Sequence, residues 1–191
     1  VLVNNAGKNV RGPFEKIPLE EILAVLDTNL RAAMVLTHLA LPTMRAQGSG
    51  TVVNVASLAG RLPLDDEATY SASKFALRIF SFAVAEELRD TNVRVTVVSP
   101  GPVDTGFITD PDVIDDVPPL VFSQPMSTSD EIAELVLDSA FDGRRERTKP
   151  ALSGRLATLS YLVPSLRRVL LPVFERKGER EKQKYIERNR R

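Results

Sequence analysis

Along the first hundred residues, short apolar β-branched runs alternate with long stretches in which apolar residues recur every three or four positions. Val1-Leu2-Val3, Thr51-Val52-Val53-Asn54-Val55-Ala56 and Val93-Arg94-Val95-Thr96-Val97-Val98 read as strands, each followed by Asn, Gly, Ser or Pro. Between the first two, Ile22, Val25, Leu26, Leu30, Ala33 and Leu36 keep helical spacing over Leu19 to Gln47, and Gly48-Ser49-Gly50 stops the pattern. Phe75, Ile79, Phe82 and Leu88 do the same over Ala68 to Arg89. Apolar strands separated by helices long enough to cross back predict βαβ units and a doubly wound parallel α/β sheet, covered on both faces.

The pattern changes after Ser99-Pro100-Gly101. Residues 102–128 are rich in Pro and Asp yet carry Phe107, Ile108, Leu120, Phe122 and Met126. A loop of that length in a compact domain predicts a lid or a binding loop. Ser129-Asp130-Glu131 opens a helix to about Asp142, with Ser127, Thr128 or Ser129 as its cap. From Pro150 the chain reads as helical again. Leu152, Leu156, Leu159, Val163, Leu166, Leu170 and Val173 recur at gaps of three and four, with Pro164 and Pro172 as starts or kinks. The expected organisation is a Rossmann-type part over 1–149 and a basic amphipathic helical extension over 150–191.

Charge sharpens that division. The chain balances 25 basic against 25 acidic side chains, but residues 1–143 hold 10 basic and 20 acidic, and residues 144–191 hold 15 and 5. The extension therefore suits a helix packed on the domain or on a second subunit, or one lying on an anionic membrane surface. Cysteine is absent, which excludes disulfides and thiolate chemistry. His38, the only histidine, falls in mid-helix, and Asp110, Asp112, Asp115 and Asp116 lack the spacing and Gly of a calcium loop, so no metal site is expected. Nothing points to nucleic acid. Without a signal peptide or an apolar run long enough to span a bilayer, the expected location is the cytosol, with membrane-peripheral contact through the extension. A chain that starts inside an apolar strand is expected to be the later part of a longer protein.

In an open parallel sheet, ligands bind at the carboxyl ends of the strands. Asn4-Asn5-Ala6-Gly7, Ser57-Leu58-Ala59-Gly60 and Pro100-Gly101-Pro102-Val103 follow the three strands at that edge. Their glycines let backbone approach a ligand. On the second helix, Tyr70-Ser71-Ala72-Ser73-Lys74 brings a phenol and an ammonium nearly into line, because four helical residues turn the chain by about 400°. An ammonium nearby is expected to lower the phenol's pKa from about 10, making it a usable proton donor and acceptor. Ser57 can hydrogen-bond the same substrate oxygen. A Tyr and a Lys four apart, taken alone, describe no more than a solvated helix face.

They are not alone. NNAG at 4–7, Asn29, Ser57, YSASK at 70–74 and PGPVDT at 100–105 have the order and spacing of the short-chain dehydrogenase/reductase family, which residues 1 to about 140 resemble. The resemblance implies a catalytic tetrad of Asn29, Ser57, Tyr70 and Lys74. Tyr70 would be the acid/base, Ser57 would hold the substrate oxygen, Lys74 would grip the nicotinamide ribose, and Asn29 would hold a water in a proton relay. It implies NAD or NADP as cofactor, with Asn5 and Ala6 on the adenosine side, Tyr70 and Lys74 at the ribose, and Pro100, Gly101, Val103 and Thr105 on the nicotinamide side. It further implies a carbonyl or alcohol substrate and a homo-oligomer. The family's Gly-rich turn and the residue that selects the 2′ group are not among these residues, so this stretch alone is expected to be inactive and poorly soluble. The apolar residues of 102–128 add the expectation of a lipophilic substrate. The alternatives are a binding module that keeps the fold without catalysis, and an epimerase or dehydratase that uses the same Tyr–Lys pair.

Overall fold

The computed structural model describes residues 1–189. Its sheet has four parallel strands in sequence order: β1 (Leu2–Asn4), β2 (Gly50–Val55), β3 (Val93–Pro100) and β4 (Glu146–Lys149). Val52 pairs with Val95 and Val53 with Thr96, so successive side chains of β2 face opposite sides of the sheet. On one side Val52, Val93 and Val95 join Met44, Val84 and Leu88. On the other, Val53 and Val98 meet Ala140, with Leu135 and Val136 against them. Helices therefore cover both faces, which is the doubly wound α/β fold.

The helices on the first face are α1 (Leu19–Leu26) with α2 (Ala32–Ala46), and α3 (Ala68–Glu87). A π-helical turn, Asp27–Arg31, joins α1 to α2 without a break. The resulting rod of 28 residues, Leu19–Ala46, is apolar and long enough to cross a bilayer by length and composition, which corrects the expectation that no such run exists. Its buried residues Val25, Asn29, Ala33, Thr37 and Met44 lie on the side that packs against the sheet and α3. The opposite face carries α6 (Ser129–Phe141). Of the three cap candidates, Thr128 is the one used: Glu131 N–H donates to its hydroxyl at 3.2 Å, and Glu131 Oε2 accepts from Thr128 N–H at 2.9 Å.

Three elements depart from the sequence reading. β3 continues through Ser99 and Pro100, because Ser99 and Pro100 pair with Thr148 and Lys149 of β4. β4 itself was unforeseen. Its sequence ERTK has no apolar residue, and it is held instead by Glu146, which accepts hydrogen bonds from Arg61, Arg78 and Ser99. Residues 102–128 are also more ordered than a bare loop. They contain α4 (Gly106–Thr109), a 3₁₀ turn at Ile114–Asp116 and α5 (Pro119–Phe122), and are closed at the base by a bridge between Val103 and Ser127.

The extension folds back over that loop as α7 (Ala151–Leu162) and α8 (Pro164–Asn189). Pro164 starts α8 and Pro172 lies within it. Ile186 joins Ile108, Ile114, Val117 and Phe122 in a separate apolar cluster. Lys182, buried beside it, donates to the carbonyls of Asp115 and Val117 at 2.8 and 2.9 Å. Gly178 allows α8 to sit directly on α5: a Cβ there would fall 1.8 Å from the Pro119 carbonyl oxygen.

Candidate active site

A cleft of about 990 Å³ opens at the carboxyl ends of β1, β2 and β3. Asn5, Ala6, Ser57, Tyr70, Lys74, Pro100, Gly101, Val103 and Thr105 all line it, so the sheet assembles nine of the ten candidate residues into one place. The tenth, Asn29, lies behind the wall. Its Oδ1 accepts from Lys8 N–H at 2.7 Å, while its Nδ2 donates to the Lys8 carbonyl at 2.8 Å and to Ser73 Oγ at 2.9 Å. Asn29 sits in the π turn, which re-aims a residue out of the regular α register. In this structure it pins the segment after β1 to α3.

Each reactive side chain is set by a distinct local feature. Ser57 is the extended residue two positions beyond β2 that caps the 3₁₀ turn Leu58–Gly60, its Oγ accepting from Ala59 N–H at 3.1 Å. That leaves the Ser57 proton for Tyr70, whose hydroxyl shares a hydrogen bond with it. Gly60 lets this turn touch α3, since a Cβ there would lie 2.8 Å from the Lys74 carbonyl oxygen. One turn along from Tyr70, Lys74 donates to the Val55 carbonyl at 2.8 Å, and its Nζ stands 5.8 Å from the Tyr70 ring centroid.

The electrostatics differ from expectation. Burial pushes the Tyr70 phenol up to about 12, against a lowering by the Ser57 hydrogen bond, a raising by Glu67 and a lowering by Arg11. Burial, which disfavours its charged form, brings the Lys74 ammonium itself down to about 8. Near neutral pH Tyr70 is thus a neutral phenol, with a proton to give and a serine hydroxyl beside it. Arg11 and Glu67, which act on it with opposite sign, also line the cleft. Neither was singled out in the sequence. They are 56 positions apart, and only the fold joins them.

The wall opposite the sheet comes from segments after residue 100. Phe107, Ile108, Leu120 and Val121 of the 102–128 loop, Leu152 and Leu156 of α7, and Leu170 and Phe174 of α8 border the same space. The cleft is therefore polar at the strand ends and apolar beyond them. Gly7 leaves open approach to its floor: a Cβ there would lie 3.6 Å from Lys74 Nζ and 3.8 Å from Asn29 Oδ1. At the other rim, Gln124 Oε1 is a buried acceptor without a partner, next to Gly101. An ammonium, an open backbone turn and an unsatisfied amide oxygen around one space suit a ribose hydroxyl and a carboxamide.

A family model described as "short chain dehydrogenase" matches residues 1–111. Ketoacyl reductase HetN of Nostoc sp. is 47% identical over 111 residues, which make up 58% of this chain and 39% of that protein. The 3-ketodihydrosphingosine reductase of Bacteroides thetaiotaomicron is 36% identical over 107 residues, covering 56% and 40% of the two chains. The matched part thus spans about two fifths of these curated relatives. Among solved structures, a short chain dehydrogenase from Burkholderia cenocepacia in complex with NADP superposes with a TM-score of 0.73 at 26% identity, covering 89% of this chain and 70% of that one. A 4-hydroxyisoleucine dehydrogenase complexed with NADH and succinate gives a TM-score of 0.62 at 26% identity, covering 72% and 58%.

Proposed function

We propose, from the premise that this chain belongs to the short-chain dehydrogenase family, that the protein is an NAD(P)-dependent oxidoreductase interconverting a lipophilic carbonyl compound and its alcohol. The observation that carries this reading is the Ser57 hydroxyl set beside the buried Tyr70 phenol at the polar end of a cleft whose far wall is apolar. The bound nicotinamide supplies or accepts the hydride. Its ribose would be held by Lys74 and Tyr70, its nicotinamide side by Pro100, Gly101, Val103 and Thr105, and the remainder approached by Asn5 and Ala6.

The chain's own residues then handle the proton. Ser57 holds the substrate oxygen, and Tyr70 donates its phenolic proton as negative charge develops there. With its pKa raised by burial, Tyr70 stays protonated across the neutral range, which favours the reductive direction. Lys74, near its own pKa, is suited to return a proton toward Tyr70. Asn29, bound to Lys8 and Ser73, keeps the turn after β1 against α3 and would hold the water of the relay. The test is oxidation of NADH or NADPH that depends on an added long-chain ketone. Ser57→Ala should slow it by about 10²-fold with cofactor affinity retained. Ketone-independent oxidation, or none with either nucleotide, would defeat the reading.

We also propose that α7 and the first half of α8 rest on an anionic bilayer. Leu152, Leu162, Val169 and Val173 are each more than three-fifths exposed, with Arg155, Arg168 and Arg176 exposed among them. Leu152 and Leu156 line the cleft as well, so its mouth opens beside these side chains. Apolar knobs ringed by arginine match the interface of an anionic membrane, where a lipophilic substrate would be dissolved.

A further inference from the structure

We infer that Arg11 is a positioning residue for the proton donor, a latch that fastens the 102–128 loop to the start of α3 and holds Phe107 against Tyr70. The inference rests on the proposed oxidoreductase reading for its catalytic consequence and on geometry for the latch itself. Arg11 lies in the segment after β1, with its side chain 10% exposed, and its Nε donates to Glu67 Oε1 at 2.7 Å. Its Nη2 donates to the Phe107 carbonyl at 3.1 Å, and its guanidinium carbon stands 5.7 Å from the Phe107 ring centroid. The Phe107 ring in turn lies 5.8 Å from the Tyr70 ring, tilted by 48°. One guanidinium therefore joins three segments that the chain keeps far apart, and all four side chains border the cleft.

Stability alone does not account for this arrangement. Glu67 occupies the N-cap position of α3 yet caps nothing, although a shorter acceptor there would serve the helix. Its carboxylate, 3% exposed, is given to Arg11 instead. A buried ion pair is weak evidence for stability, since the cost of desolvating both charges offsets their attraction. Placed three residues before Tyr70, however, the pair brackets the phenol with opposed charges: Glu67 raises its proton affinity and Arg11 lowers it. The planar guanidinium fork, which a lysine lacks, is what reaches the carboxylate and the loop carbonyl together. A second tie, Gly12 N–H to the Asp66 carbonyl at 2.9 Å, holds the Arg11 segment against the same turn.

Loss of Arg11 should therefore act in two separable ways. The loop is released, which raises KM. Glu67 is left unbalanced, which shifts the alcohol-oxidation profile to higher pH, because that direction needs the phenolate. The experiment compares Arg11→Met, Arg11→Lys and the double variant Arg11→Met/Glu67→Gln in the full-length protein, each checked for a wild-type melting profile. Arg11→Met should raise KM about tenfold and move the profile up by about one pH unit. The double variant should return the profile to its wild-type position while KM stays high. Arg11→Lys should keep the wild-type profile but share the KM defect, and it carries the test if Arg11→Met does not fold. Chymotryptic cleavage after Phe107 reads the latch without any turnover and should be faster in each Arg11 variant. Absence of turnover in the wild type would count against the oxidoreductase reading, and the cleavage rates would then decide the latch alone. Unchanged cleavage, or an Arg11→Met enzyme with wild-type KM and pH profile, would overturn the inference.

Discussion

Gly178→Ala tests how α8 is seated over the cleft, and its sign is decided by two opposed effects. Replacing glycine by alanine in an exposed helix interior stabilises by about 1 kcal/mol. At Gly178 the added Cβ would lie 1.8 Å from the Pro119 carbonyl oxygen and 2.6 Å from its carbon. Backbone cannot rotate away as a flexible side chain would, so α8 must move off α5 by more than an ångström. Overpacking of this kind costs roughly 1–3 kcal/mol. The displacement also pulls Lys182 from the Asp115 and Val117 carbonyls and Tyr185 from its ring contact with Phe122. Hydrogen bonds from a charged donor are worth about 1.5–3 kcal/mol each. The clash and the lost bonds exceed the helix gain, leaving a net destabilisation of about 3–8 kcal/mol in the docking of α8. The assay is tryptic cleavage within Arg176–Arg188 together with the melting temperature. Cleavage should be faster by tenfold or more, since each 1.4 kcal/mol is a factor of ten in the open population. Gly106→Ala is the control, because the nearest atoms to its Cβ would be 3.9 Å away. Slower cleavage or a raised melting temperature in Gly178→Ala would refute the packing argument.

Three further outcomes follow from the same geometry. Lys74 releases its proton near pH 8 when folded and near 10.5 when unfolded, so the unfolded state binds more protons between those values and folding stability rises with pH across that window. Lys74→Met should remove a burial cost of about 3 kcal/mol at neutral pH and abolish that slope, read from urea midpoints at both ends of the window. At Glu146, burial opposes ionisation, but hydrogen bonds from Arg78, Ser99 and Arg61 outweigh it and hold the carboxyl below its usual range. Glu146→Gln should destabilise by roughly 3 kcal/mol at neutral pH, with the difference from wild type shrinking as acid protonates the carboxylate, measurable by chemical denaturation. Finally, the protein should sediment with vesicles rich in anionic lipid, less so as salt rises, and Val169→Asp/Val173→Asp should abolish it. Equal recovery with neutral vesicles would point to a contact of another kind.

How much of this was visible in the sequence depends on whether the signal was local. The three strands and two long helices were readable because Val52-Val53 and the Ile22-to-Leu36 spacing record burial directly in residue type. Placement of nine candidate residues around one cleft followed from the rule that ligands sit at strand carboxyl ends. β4 was not readable, since ERTK is fixed by Arg61 and Arg78 rather than by apolar burial. The π turn leaves no mark on the apolar spacing, yet it decides that Asn29 turns toward Lys8 and Ser73. The Arg11–Glu67 pair escaped notice because its partners are distant in the chain. The spacing of Tyr70 and Lys74 was right, but their electrostatics were not. Proximity along a helix face says nothing about desolvation, which dominates both groups here.

The central claim is that Tyr70 gives the proton that completes reduction of a carbonyl. Its most direct test is a single-turnover measurement of nicotinamide absorbance, with full-length protein preloaded with NADH or NADPH and mixed with a long-chain ketone. Tyr70→Phe keeps the ring packed against Phe107 but has no proton to donate. The account predicts nucleotide affinity lowered by no more than the loss of one ribose hydrogen bond, about tenfold, and a hydride-transfer rate at saturating nucleotide lower by about 10²-fold or more. A Phe variant that turns over once at the wild-type rate would contradict it.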